Sequence, residues 1–282
     1  MIISFFRTLT LRLLTIDLLR GSILKVYPYA ISHEFSGLRQ DAYLKLLSNF
    51  NIDAAAELKA NLKRYGNDAD GGYVLDSRIT PETVCLSLGI SNEVSFDLEI
   101  SKLISRLEMY DFSISGLPLE VPKSTFHRLG ISSVPREGFI PLEDAIERLE
   151  SSASVILKMD IEGDEWDSLA TCNRLVLERC TQIVVEFHNL QSLPLRPDFD
   201  SLMDQFSQQM ANFAVVNVHG NNWDSFHIIH GVPVPNVIEV TYLRRDWLES
   251  LESSFNNRGR NLNLANNPTR PDLILESFKR IF

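Results

Sequence analysis

Strand-length apolar runs that alternate with helical segments predict an α/β domain with a mostly parallel, doubly wound sheet. Two observations carry this. The alternation itself is the signature of parallel strands joined by crossover helices. The connection between the last two strand candidates has no helical pattern; it holds Gly220, Asn221, Asn222, Gly231, Pro233 and Pro235. A parallel return normally needs a crossover of a dozen or more residues, so the final strand is expected to run antiparallel.

Two helical patterns, Leu38–Ser48 and Ile52–Leu62, come first. Arg64–Leu75 reads as a loop with an Asp-Gly-Gly turn at Asp70–Gly72, ending in a short extended run. The strand candidates are Thr83–Leu88, Leu107–Phe112, Thr125–Ile131, Val155–Asp160, Gln182–His188, Phe213–His219 and Val237–Arg244. Helices are expected at Glu93–Leu103, Pro141–Leu149, Glu162–Cys172 and Phe199–Met210; proline at the first helical position costs nothing there. The organisation expected is an N-terminal helical extension over 1–62, a catalytic domain over 63–250, and a polar, Asn-rich tail over 251–282 ending in a short helix, Asp272–Phe282.

The 282 residues suffice for one large α/β domain with an appendage, and 44% apolar with 23% charged residues is an ordinary globular balance. A net charge of −10 disfavours nucleic acid and other polyanions as partners. Cys85, Cys172 and Cys180 form no Cys-x-x-Cys pair, which argues against a disulfide framework or structural zinc and for a reducing, cytoplasmic setting. Residues 1–27 are apolar but interrupted by Arg7, Arg12, Asp17 and Arg20, which spread around a helical wheel. No run reaches the roughly 20 residues of a bilayer span. A helix packed on the domain or on a subunit is expected there, with peripheral membrane contact as the alternative.

Ligands in open α/β sheets bind beyond the carboxyl ends of the strands. Ser87, Gly89 and Asn92 follow the first strand, where a glycine lets a ligand approach the backbone; a plain strand-to-helix turn is the alternative. Asp111 ends the second strand, where a carboxylate can accept two ribose hydroxyls or simply be solvated. Asp160 closes the fourth strand, followed by Glu162, Asp164 and Glu165, of which the last two suit a helix start. Glu186 and His188 end the fifth strand on one side, and a buried Glu186 requires a partner. His219, Asn221 and Asn222 end the sixth. A single metal held by Asp160, Glu186, His188 and His219 is disfavoured, because an intervening strand would set the two histidines roughly 10 Å apart. The histidines are instead expected to flank a substrate cleft, with no metal.

The runs VCLSLGISNEVSFD (84–97), EMYDFS (108–113), VILKMDIEGDEW (155–166), IVVEFHNL (183–190) and VNVHGNNW (216–223) resemble the FkbM-type family of S-adenosylmethionine-dependent methyltransferases. The Asp-Gly-Gly-Tyr-Val segment and NNPTRPDLIL (266–275) resemble a bacterial branch of it, so the likeness spans roughly Arg64 to Leu275. The resemblance implies a Rossmann-like class I methyltransferase sheet of seven strands, the seventh antiparallel. It implies that the Gly89 loop holds the cofactor's amino-acid portion, Asp111 the ribose, and that Asp160 lies beside the methionine moiety and the acceptor. One departure is Ser87, which stands where the general pattern has an acid, with only Gly89 left of several glycines.

The chemistry expected is O-methylation of a glycan or other small polyol. His188 or His219 as neutral imidazole takes the hydroxyl proton. Asp160 or Glu186 orients that base, and Glu186, Asn221 and Asn222 bind the acceptor. A metal-dependent enzyme using the same strand ends, a silent methyltransferase-fold scaffold and, more weakly, a nicotinamide-dependent dehydrogenase are the alternatives.

Overall fold

The computed structural model describes residues 31–32, 40–150, 154–224, 226–229, 232–251, 262–273 and 275. The expected helix within 1–27 and most of the one at Asp272–Phe282 lie outside them. A hairpin, β1 (Leu62–Tyr65) and β2 (Tyr73–Asp76), precedes the main sheet. The seven sheet strands are β3 (Val84–Leu88), β4 (Arg106–Tyr110), β5 (Ser124–His127), β6 (Val155–Met159), β7 (Cys180–Phe187), β8 (Phe213–Gly220) and β9 (Ile238–Arg244).

Their spatial order is β8-β9-β7-β6-β3-β4-β5. All neighbours run parallel except β9, which lies antiparallel between β7 and β8. The expected class, a mostly parallel seven-stranded sheet whose last strand is antiparallel, is the one observed. Two apolar layers enclose it, as continuous apolar strands require. Val84, Leu86, Leu88, Val185 and Phe187 face one layer; Cys85, Ile156 and Val184 face the other.

The helices that cover the sheet are α1 (Gln40–Ser48), α2 (Ala54–Lys59), α3 (Ser95–Ile100), α4 (Leu142–Glu147), α5 (Glu165–Thr171), α6 (Arg174–Leu177), α7 (Phe199–Gln209) and α8 (Arg245–Glu249). Phe50, just after α1, joins Trp166 of α5, Phe187 of β7 and Phe206 of α7 in one aromatic cluster, with Trp166 and Phe187 centroids 4.3 Å apart. Residues 40–50 are thus built into the main core.

Several boundaries differ from expectation, each for a local reason. Arg64–Leu75 is mostly hairpin, and its register Arg64↔Val74 is locked to the sheet by Gln182, whose amide bonds Asp76 N and O at 2.8 and 3.0 Å. The α5 helix starts at Glu165, not Glu162, because Glu162 (φ 61°) and Gly163 (φ 120°) are left-handed. The expected third strand splits, with Gly130–Ile131 leaving the sheet to pair with Phe139–Ile140. The connection between β8 and β9 carries a hairpin of its own, Phe226–Ile229 with Val232–Pro235.

Candidate functional site

Among the described residues four non-glycine residues are left-handed, and three of them follow sheet strands on one rim: Ser91 after β3, Glu162 after β6 and Asn189 after β7. Such backbone strain is characteristic of functional sites. Gly89 shares this rim at φ 76°; a Cβ there would stand 1.5 Å from the Asp160 carbonyl oxygen, so the loops after β3 and β6 touch backbone to backbone. Lys158 Nζ reaches from beneath to the Gly89 carbonyl and lies 3.5 Å from Asp160 Oδ2.

Asp111 organises this loop. Ile90 N and Ser91 N donate to its Oδ2 at 2.8 and 2.7 Å, and Ser113 N and Oγ donate to Oδ1, both at 2.7 Å. Burial would raise its carboxyl, but these bonds outweigh it and hold the group below the usual range. Its acceptor sites are therefore filled by the protein itself rather than left open for a ribose. Ser87 is wholly buried beneath the loop beside Asp97, whose carboxyl burial pushes up to about 6, while Asn92 is exposed in the turn. Next to Asp111, Phe112 is 44% exposed and packs at a tilt of 38° against Phe139, 4.9 Å between centroids. The sequence offered no reason to single it out.

Asp160, Glu186 and His188 meet at the ends of β6 and β7, their ligand-type atoms all within 4.8 Å of one another. Tyr73 of the hairpin bridges the carboxylates, its hydroxyl 2.9 Å from Asp160 Oδ2 and 3.4 Å from Glu186 Oε2. Asn221 Nδ2 donates to Glu186 Oε1 at 2.8 Å, which supplies the partner that buried Glu186 required. Glu186 is held well above the usual carboxylate range by burial, then by the charges of Asp160 and Glu239. His188 Nδ1 lies 3.0 Å from Glu165 Oε1, and Nε2 faces Glu162 Oε2 at 3.4 Å. Glu165 is fully buried and also accepts from Ile161 N and Gly163 N, both at 3.0 Å. It is a structural anchor as well as a helix-start acid.

The two histidines expected as alternative bases stand in different surroundings. Burial lowers the proton affinity of His188, but the Glu165 hydrogen bond and the Glu165, Glu186 and Asp160 charges outweigh it, pushing its pKa up to about 9. The carboxylates around it thus favour a positive charge at this position. His219 does not share a cleft with it: Nδ1 lies 3.2 Å from Glu239 Oε2, Nε2 lies 2.9 Å from Asp272 Oδ1, and the ring is buried. Both nitrogens are occupied, so His219 is structural.

Asn222 is not an acceptor-binding residue either. Its Nδ2 donates to the Asn267, Arg270 and Pro271 carbonyls, and its Oδ1 accepts from Asn267 N at 2.6 Å, so it clamps the C-terminal segment. Asn221 does face the rim, and its Oδ1 caps Trp223 N at 2.8 Å, beside a Trp223 indole that is 52% exposed. On the opposite rim a cavity of about 520 Å³ is lined by Arg78, Thr83, Arg179, Thr181, Arg244 and Trp247, among others.

No family model and no curated protein matches the chain, so nothing in those comparisons supports the FkbM resemblance. Solved structures similar to it include an rRNA methylase from Streptococcus thermophilus (8% identity, TM-score 0.38, 59% of this chain and 89% of that one). Others are a precorrin-6y C5,15-methyltransferase from Geobacter metallireducens (11%, 0.32, 76% and 91%) and precorrin 8w decarboxylase from Methanobacterium thermoautotrophicum (11%, 0.33, 77% and 97%). At such identities and scores these likenesses carry no argument about activity. The strand order and the single antiparallel strand establish the fold on their own: a class I methyltransferase-type sheet.

Proposed function

We propose that the chain is an S-adenosylmethionine-dependent methyltransferase of FkbM type that methylates a hydroxyl of a glycan or other small polyol. The observation that carries this is the gathering of strained loops, Asp111 and the Asp160–Glu186–His188 cluster on the carboxyl rim of a methyltransferase-ordered sheet. The rim suits a purine nucleoside in kind, since a partly exposed Phe112 ring stands beside the loop-holding Asp111. When bound, the cofactor supplies a methyl group already activated on a sulfonium.

The chain's residues do the rest. Asp111 holds the Gly89 loop in shape, and Phe112 supports the base. Trp223 gives a sugar ring an apolar platform, and Asn221 fixes Glu186 behind it. The hydroxyl proton passes to Glu162 Oε2, which is 85% exposed and kept over the cluster by its left-handed backbone, 3.4 Å from His188 Nε2. Bringing oxygen, methyl carbon and sulfur into line is the larger part of the catalysis.

Calorimetry with S-adenosylmethionine and S-adenosylhomocysteine tests the reading. Micromolar binding, weakened at least tenfold in F112A with an unchanged melting temperature, is the expected result. Absence of binding at millimolar cofactor would overturn it and favour the silent scaffold.

A further inference from the structure

We propose that Asp160, Glu186 and His188 form a binding site for one divalent cation, with open positions facing the rim. Their separations are informative. His188 Nε2 is 3.9 Å from Asp160 Oδ1 and 4.0 Å from Glu186 Oε1. These distances are too long for hydrogen bonds. They match atoms flanking one ion with bonds of about 2.1 Å, where ligand pairs stand roughly 3.0 to 4.2 Å apart.

A second, independent observation points the same way: each candidate ligand is oriented by a partner of its own. Glu165 takes His188 Nδ1 and so turns Nε2 inward, the carboxylate–imidazole arrangement typical behind metal ligands. Asn221 fixes Glu186 through Oε1, and Tyr73 fixes Asp160 through Oδ2, leaving Asp160 Oδ1 on the side of the imidazole. Asp160 is a quarter exposed, so an ion has a path in and room for further oxygen ligands.

Two carboxylates and one imidazole suit a divalent cation such as manganese rather than a thiolate-seeking one. The site also differs from the four-residue set suggested by residue types alone. His219 is elsewhere, clamped by Glu239 and Asp272, and without it the remaining three converge. Binding of the ion stands on this cluster alone. Its use, with the acceptor's neighbouring hydroxyls as the remaining ligands and one of them made more acidic, rests on the methyltransferase reading.

Equilibrium dialysis of the full chain against Mn²⁺, Mg²⁺ or Zn²⁺, with elemental analysis, tests the site. One equivalent of at least one cation is expected, with affinity reduced at least tenfold in E186Q and H188Q and unchanged in the surface control E120Q. Circular dichroism confirms that each variant is folded, and D160N replaces either one that is not. Less than a tenth of an equivalent at millimolar metal, or equal binding by folded variants, would overturn the proposal. S-adenosylhomocysteine calorimetry on metal-free protein separates the two readings: cofactor binding without metal binding defeats the ion site alone, and the converse defeats the methyltransferase reading alone.

Discussion

Glu165 has no exposed surface, yet it decides what His188 can do. It anchors Ile161 N and Gly163 N and holds the imidazole Nδ1 from behind. Replacing it by Gln keeps the shape but weakens the hold on the ring, so E165Q should bind Mn²⁺ about 10–100-fold more weakly than the wild-type chain. Unchanged affinity in a folded variant would show that Glu165 serves the loop only. At this scale the sequence was legible in part. Asp160, Glu186 and His188 could be assigned to one rim from strand ends alone. The exclusion of His219 and Asn222 could not, because it depends on residues 266–272 returning across the sheet from more than forty positions away. Nor could Tyr73 be placed beside Asp160 before the hairpin's docking was known.

The loop after β3 is the element on which cofactor binding turns. One carboxylate, Asp111, accepts four hydrogen bonds from the residues around it. Bonds to a charged group contribute about 1.5–3 kcal/mol each and are not additive. D111A should therefore lower unfolding stability by about 2 kcal/mol or more and speed amide exchange at 90 and 91. Stability within a few tenths of the wild type would contradict the loop-holding role. Most of the sheet strands were legible because they are short, mainly apolar runs buried on both faces, whereas the polar, half-buried β5 was bounded less well. The hairpin was not, since Leu62–Tyr65 has a buried-exposed pattern too short to tell from a helix end and its partner lies across a glycine turn.

At the scale of the whole molecule, the C-terminal segment straps the sheet through Asp272, Asn266 and Asn267, with Asn266 Nδ2 donating to Glu239 Oε1 at 2.6 Å. His219 is the pin of this strap. Burial lowers its proton affinity, but the Asp272 and Glu239 bonds outweigh it and push the pKa up to about 9. The unfolded chain releases the same proton near pH ~6.5. The strap's contribution is therefore complete below pH ~6.5 and fades as pH rises towards 9, by up to about 3 kcal/mol. Denaturant titrations should show this loss in the wild type and a smaller one in H219Q. Equal slopes would remove His219 from the strap. Among the described residues no helix is long and apolar enough to cross a membrane.

Which rim of the sheet takes the cofactor decides the function, and amide hydrogen exchange with and without S-adenosylhomocysteine tests this most directly. New protection confined to residues 89–92, 111–113 and 160–163 is the predicted result. Protection around Arg78, Arg179 and Arg244 on the opposite rim, or none at saturating ligand, would contradict it.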